Sequence, residues 1–443
     1  MKHKIAKIYS YIKEDLNRSL LVLMIFVLPF ERIPSVEVMG ASIRPSVIVG
    51  LAIVARALYL LARKKIKINF SFQEKLLLAF LVWILLLVPE SINLSRGVSV
   101  FLFNSFTIIT ALSIALIFDK KYIKPIIYSL LSSAFIVCLF AVFQYFGNLL
   151  GLPNYITGLR DMYTWKVFGF PRVQSTALEP LYFASYLLLP FCVAFSLAII
   201  PKQKMLSNKV AISLIGFFAF IIFLTVSRGA LYAMAGVLLV GSFFAIKNKS
   251  VKIKQIFLVA SAIAIAAALS LSMINFFNKP PSEFTQGKKG ADAYLSQLKN
   301  TSLDDNDGRA LARQKALKIV RTDRAVLVLG LGPGQFGPYV QNNIPREGKW
   351  TIVNNLTLEL LVETGIVGLT LILVFIASLL FKGFGLFLSS KDQSVVIMSG
   401  GLSLYLLSQS IQYQGYSTLY VIYIWTSIGM LMALIKIQPK SKK

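Results

Sequence analysis

Residues 354–381 read NNLTLELLVETGIVGLTLILVFIASLLF. Two asparagines and two glutamates stand in its first half, and from Gly365 to Phe381 no charge interrupts it. A helix rises about 1.5 Å per residue, so crossing roughly 30 Å of hydrocarbon takes about 20 residues. Backbone amides cannot stay unpaired in lipid, which leaves only helices and closed barrels as crossings. The block is solidly apolar and does not alternate, so the pattern predicts a membrane helix.

The same pattern recurs along the chain. It predicts twelve spans, at 19–30, 43–62, 74–89, 97–118, 122–150, 178–200, 209–226, 229–246, 253–276, 354–381, 393–412 and 415–435. The chain has 443 residues, 56% of them hydrophobic, more apolar surface than a soluble domain can bury. The first block runs into Pro29–Arg32 with no small-residue cleavage site, so it is expected to be a membrane helix and not a cleaved leader. The expected architecture is an all-α integral membrane protein. Helices one to nine fill residues 1–276, a large partly helical extracytoplasmic loop fills 277–353, and helices ten to twelve with a cytoplasmic tail fill 354–443.

On a soluble protein, a net charge of +27 would suggest a nucleic-acid partner. Here the basic residues gather in alternate inter-span segments, such as Arg63–Lys67, Lys120–Lys124, Lys247–Lys254 and the two tails. The short segments between them carry few. This positive-inside bias places both termini in the cytoplasm and 277–353 outside, and it accounts for the basicity without nucleic acid. The one histidine, His3, lies in the basic N-terminal tail, and Cys138 and Cys192 fall inside apolar blocks. A His-based metal site or triad is therefore excluded, and no metal or cofactor is expected.

The outer segments hold the candidate chemistry. Arg228, in Ser227-Arg228-Gly229, falls between two apolar blocks with almost no linker. A guanidinium there either snorkels to headgroups or anchors phosphate. Arg309 follows Asp307-Gly308 at the start of a predicted amphipathic helix over Arg309–Arg321. A helix N-terminus already favours anions, and an arginine adds a forked donor; the alternative is a solvated residue paired with Asp304 or Asp305. The face of that helix is expected to be Leu311, Ala312, Lys315, Ala316, Ile319 and Val320, lying on the membrane or covering a cavity. The preceding loop carries Pro280–Pro281, Gly287 and the acidic run Asp304–Asp307.

Residues Gly330–Phe336 form a glycine-rich turn without the surroundings of a nucleotide-binding loop. Glu359 and Glu363 lie one turn apart, so they share a helix face and either pair with arginines or do acid/base work. Glu179-Pro180 suits a helix start, with the carboxylate as a cap. Arg160, Lys166 and Arg172, with Tyr163 and Trp165 among them, make the loop before it basic and aromatic. Aromatic residues of this kind suit a membrane interface or stacking on sugars.

In order and spacing, the chain resembles the O-antigen ligase and O-antigen polymerase superfamily. The resemblance is carried by Ser227-Arg228-Gly229, Gly308-Arg309, Gly330–Phe336 and the run Asn354–Leu369, and it is best from about 172 to 370. It implies a GT-C-like helical membrane fold and metal-independent transfer of a glycan from an undecaprenyl-diphosphate donor to an acceptor sugar or anchor. Such an enzyme would work at the outer face of the cytoplasmic membrane, in lipopolysaccharide or other surface polysaccharide biosynthesis. Arg228 and Arg309 match the arginines thought to hold the diphosphate, with Arg172 assisting.

Ligases of the family carry His-Asn where this chain has Asn354-Asn355. Asparagine cannot take a proton near neutral pH but can orient a hydroxyl. Asn354 is therefore expected to position the acceptor, with Glu179 and Glu363 as candidate bases, and the departure leans toward a polymerase or a divergent ligase. The rival readings are a transporter or flippase for a lipid-linked or anionic solute, which would show a through-going polar path, and a structural assembly subunit.

Overall fold

The computed structural model describes residues 15–34, 36–38, 41–200, 203–248, 253–277, 290–299, 308–345 and 349–437. Pro280–Pro281, Gly287, the acidic run Asp304–Asp307 and both basic tails lie outside the described residues. The protein is an all-α integral membrane protein, apart from one short antiparallel hairpin.

Helices of ten residues or more are numbered in chain order. They are α1 (Leu16–Val27), α2 (Pro45–Ala62), α3 (Phe72–Leu87), α4 (Leu94–Ile117), α5 (Ile123–Leu149), α6 (Pro180–Ile199) and α7 (Asn208–Thr225). After these come α8 (Arg228–Lys247), α9 (Ile253–Phe276), α10 (Gly290–Lys299), α11 (Gly308–Thr322), α12 (Leu356–Ser389), α13 (Gln393–Gln412) and α14 (Ile422–Ile437). The hairpin pairs β1 (Val36–Val38) with β2 (Ala41–Ile43), with Val36 opposite Ile43. Among the described residues, ten helices are long and apolar enough to cross a membrane, and α1 and α14 are shorter apolar helices. Together they fall on the twelve blocks read from the sequence.

Two boundaries differ from expectation. The last helix starts at Ile422 and not at 415, because Tyr413–Val421 is an irregular segment tied down by side chains. The tenth helix runs on to Ser389 and is broken at Gly365, whose φ of 64° and ψ of −174° are not helical.

The helix α6 stands at the centre, 94% of its apolar core buried, flanked by α13 at 78%. At the periphery α9 is only 22% buried, and Leu51, Leu86, Leu239 and Phe257 expose their side chains. A soluble protein would hide these residues; in a bilayer they meet hydrocarbon.

The helix ends sort into two faces. One face carries lysines that reach back to the bundle. Lys436 pairs with the buried Glu74 at 2.6 Å, Lys121 with Asp15 at 3.0 Å, and Lys382 donates to Gln73 at 3.3 Å. Glu74 also completes a capping box with Ser71 at the start of α3. The opposite face gathers the start of α6, the α7–α8 turn, α10, α11, the start of α12 and the segment 413–421.

Candidate functional site

The segment Gly169–Glu179 enters the bundle as buried, irregular backbone. Such backbone is tolerated at membrane depth only when its polar groups find partners in the protein. Gln144 of α5 supplies two, accepting from Ser175 N at 2.7 Å and donating to Ser175 O at 3.1 Å. Ser175 Oγ donates to Val137 O, Thr176 Oγ1 to Pro29 O, and Arg32 N to Thr176 O. The segment is held at both edges, and Arg172 projects from its start.

The break between α7 and α8 receives Arg172. Val226 sits in the left-handed region at φ 53°, a conformation rarely taken by a β-branched residue. The turn frees carbonyls at the end of α7, and Arg172 Nε and Nη2 donate to Thr225 O at 3.3 Å and Val226 O at 3.4 Å. The same guanidinium lies 5.1 Å from the Phe168 ring centre and 5.7 Å from that of Tyr163. Tyr294 of α10 closes over this corner, its ring against Phe170 and its hydroxyl on Phe223 O.

Arg228 is the first residue of α8 and Ser227 its N-cap. The Ser227 side chain makes no capping bond, and its buried Oγ has no partner among the described residues. The N–H groups of the first turn of a helix have no intrahelical acceptor, so this terminus is receptive to an anion. Burial pushes the Arg172 pKa below the ordinary arginine value, and the charges of Arg309 and Arg228 push the same way while Glu179 opposes them. The fold thus brings Arg172, Arg228, Arg309 and Glu179 within electrostatic range of one another. Glu179 occupies the N-cap position of α6, but its side chain makes no capping bond. The capping role read from Glu179-Pro180 is not the one it has.

Arg309 opens α11, and the buried face of α11 is Ala312, Ala316, Ile319 and Val320. Leu311 is 44% exposed and Lys315 is exposed as well, so the buried face is the expected stripe without these two residues. The buried face packs on Phe336, Val353 and Val362, which makes α11 a cover on the protein. One turn beyond Arg309, Arg313 Nη2 donates to Asn354 O at 2.8 Å and to Gln414 O at 3.1 Å. Asn354 has φ 58°, its N–H donates to Ser417 Oγ at 3.1 Å and its Nδ2 to Ile352 O at 3.1 Å. Its Oδ1 accepts no hydrogen bond among the described residues. Asn355 caps α12 through Leu358 N.

Glu363 lies elsewhere. Its carboxylate accepts from Gly334 N at 2.8 Å and from Phe336 N at 3.2 Å, so the glycine-rich turn is folded around it. At the Gly365 break, the carbonyls of Val362, Glu363 and Thr364 take N–H groups from Leu331, Gly332 and Trp83. Gly330 and Gly332, at φ 89° and 98°, permit the approach. The arginine near Glu363 is Arg96, whose Nε donates to Gly334 O. Glu363 is thus a tether for the turn and does not join the arginine cluster. Arg96, Arg313, Gln414 and Ser417 were not singled out from the sequence. Gln414 and Ser417 sit next to or inside a stretch read as helix, and a single arginine at the end of a span carries no distinguishing signal.

Residues 211–373 match the family model described as O-antigen ligase. Over this stretch the chain is similar to O-antigen ligases. The O-antigen ligase match includes Arg228, Arg309, Asn354, Glu359 and Glu363, and stops short of Arg96, Arg172 and Glu179. It supports membrane glycan transfer of the O-antigen ligase/polymerase type in general. No curated protein matches the chain.

Proposed function

We propose that the protein transfers a glycan from an undecaprenyl-diphosphate-linked donor to an acceptor sugar or anchor, at the outer face of the cytoplasmic membrane. In this reading the lysine-rich face and both termini are cytoplasmic. Residues 277–353 are extracytoplasmic. The observation that carries the reading is that Arg172, bonded to the carbonyls of the α7–α8 turn beside Arg228, lies within electrostatic range of both Arg228 and Arg309.

Three guanidinium groups beside a helix N-terminus favour a multiply charged anion. A lipid diphosphate, arriving from the bilayer, has that charge and that route. Arg228 and Arg309 grip the diphosphate, and Arg172, fixed on the carbonyls of Thr225 and Val226, adds a positive charge that cannot swing away. As the acceptor hydroxyl oxygen bonds to the anomeric carbon, the bond from that carbon to the diphosphate oxygen breaks. Negative charge then builds on the leaving diphosphate, where the arginines stabilise it most. The hydroxyl proton passes to Glu179, which faces the cluster uncapped. Asn354 orients the hydroxyl through its unengaged Oδ1. Glu363 keeps the glycine-rich turn in place. The reading calls on no metal ion.

The test is complementation in a strain lacking the wild-type copy, with insertion followed by immunoblot. Arg228→Ala and Arg309→Ala should abolish polymer while the protein still inserts. Normal polymer from both variants sinks the mechanism. Purified protein given a synthetic lipid-linked repeat unit then separates chain extension, as in a polymerase, from transfer to a different acceptor.

A further inference from the structure

A hollow lies between α3, α4, the glycine-rich turn, the first turns of α12 and the segment Ser417–Tyr420. It is partly open to solvent, with polar and apolar side chains on its walls. Phe80, Ile84 and Leu360 give it an apolar wall. Its polar lining is unusual in how much of it is left without a partner.

Glu359 Oε2 accepts from Ser417 Oγ at 2.6 Å and from Val353 N at 3.1 Å, and no donor among the described residues meets Oε1. Asn104 is 6% exposed, its Nδ2 donates to Val100 O, and its buried Oδ1 has no partner among the described residues. Arg96 commits its Nε to Gly334 O and is 5.7 Å from the Trp350 ring centre, while no hydrogen bond among the described residues takes up its Nη groups. Asn104 lies eight residues along α4 from Arg96, so the hollow descends about 12 Å along the helix. Tyr420, 39% exposed, offers a ring at the side.

The occupant must satisfy acceptors at Glu359 and Asn104 and donors at Arg96 together. An anion would face Glu359 and Glu363 at close quarters, and a cation would face Arg96. A neutral ring bearing several hydroxyls meets both demands, since each hydroxyl donates once and accepts twice. Its C–H face suits the Tyr420 ring. Unpaired buried polar atoms cost about 1–3 kcal/mol each, so a pocket that holds them open is shaped for a ligand that closes them.

The hollow is joined to the arginine cluster by one short stretch of chain. Ser417 bonds Glu359 on one side and Asn354 N on the other, and Thr418 shares a 3.1 Å hydrogen bond with Tyr182, three residues beyond Glu179. Arg313, one turn from Arg309, holds Asn354 O.

We propose that this hollow is the acceptor-saccharide site, with Glu359 Oε1 and Asn104 Oδ1 accepting sugar hydroxyls and Arg96 donating to a third. The proposal rests on the glycan-transfer reading above and adds to it the place and chemistry of the second substrate.

The test uses the full-length protein in nanodiscs and, as probe, oligosaccharide hydrolysed from the host's own surface polysaccharide. Binding is followed by saturation-transfer NMR and titration calorimetry, and transfer is followed with the lipid-linked donor. Glu359→Gln keeps an oxygen for Ser417 and Val353, and Asn104→Leu keeps the volume, so one of the two reports even if the other misfolds. Each is expected to weaken saccharide binding about tenfold or more and to raise KM for the acceptor without changing KM for the donor. Arg228→Ala is expected to bind saccharide as the wild type does while losing transfer. If Arg228→Ala loses transfer and the two hollow variants keep wild-type acceptor binding and KM, the acceptor site is wrong and the transfer reading stands. If Arg228→Ala transfers normally, the transfer reading falls and takes the acceptor site with it.

Discussion

Arg313 donates to the main-chain oxygen of Asn354 at 2.8 Å, which ties the covering helix α11 to the residue that opens α12. The same guanidinium reaches Gln414 O at 3.1 Å. One side chain thereby fixes three parts of the site, including the distance between Arg309 and Asn354.

Removing that tie should cost activity more than assembly. A hydrogen bond from a charged donor is worth about 1.5–3 kcal/mol, so Arg313→Ala should lower transfer about 10- to 100-fold while insertion is unchanged. Arg313→Lys should recover only part, because an ammonium lacks the planar fork that spans two carbonyls. Transfer rates in membranes, normalised to protein level, decide this. A wild-type rate for Arg313→Ala would count against the tie.

Arg172 answers to two carbonyls and two rings at once. Arg172→Lys keeps the charge and loses the planar contacts, and Arg172→Met keeps much of the packing and loses the charge. If the site needs a fixed charge, both should fall about tenfold or more, with Arg172→Met the lower. Arg172→Met should also free the carbonyls of Thr225 and Val226, and thermal unfolding in detergent should register that loss. Equal activity in the methionine variant would remove Arg172 from the site.

Gly365 has a backbone that side chains rarely adopt, and an added Cβ would collide with Val328 O. Gly365→Ala should therefore destabilise the protein by about 1–3 kcal/mol, or straighten α12 and expel the glycine-rich turn. Either outcome lowers the unfolding midpoint and opens the 330–336 segment to proteolysis. A midpoint equal to that of the wild type would contradict the break.

Glu31, outside the spans and 4% exposed, has its carboxyl held above the ordinary glutamate value of 4.5. Burial is the main cause, Glu179 adds to it, and Arg44 and the Leu178 N–H work against it. The folded state holds the proton more tightly than the unfolded chain. Stability from this group is complete below the ordinary value and is lost as pH rises through the folded one. Glu31→Gln should thus unfold at a higher temperature than the wild type near pH ~8 and show a smaller difference near pH ~4. A difference that grows toward acid would reverse the assignment.

The sequence made the spans legible because each crossing demands the same uncharged length, whatever its neighbours. It also singled out Arg228 and Arg309, since a cation beside hydrocarbon or at a helix start is conspicuous. The break at Gly365 was hidden, because Glu363-Thr364-Gly365-Ile366 reads as helix and the loop that fills the break is some thirty residues upstream. Likewise the hollow around Glu359 is assembled from five separate stretches, and nothing local in Arg96, Asn104 or Ser417 marks them as neighbours. Leu311 misled for a related reason: which side of α11 is covered depends on Phe336 and Val353, not on its own composition.

Because α6 is enclosed by other helices over almost its whole length, lipid chains do not touch it. A thicker or thinner bilayer tilts and strains the outer helices such as α9, yet it has no direct purchase on the mast that carries Glu179. The spacing between that carboxylate and the α7–α8 turn is thereby insulated from changes in growth temperature or lipid composition. On the glycan-transfer reading proposed above, the carboxylate given to the acceptor proton stands on a support that lipid chains do not reach.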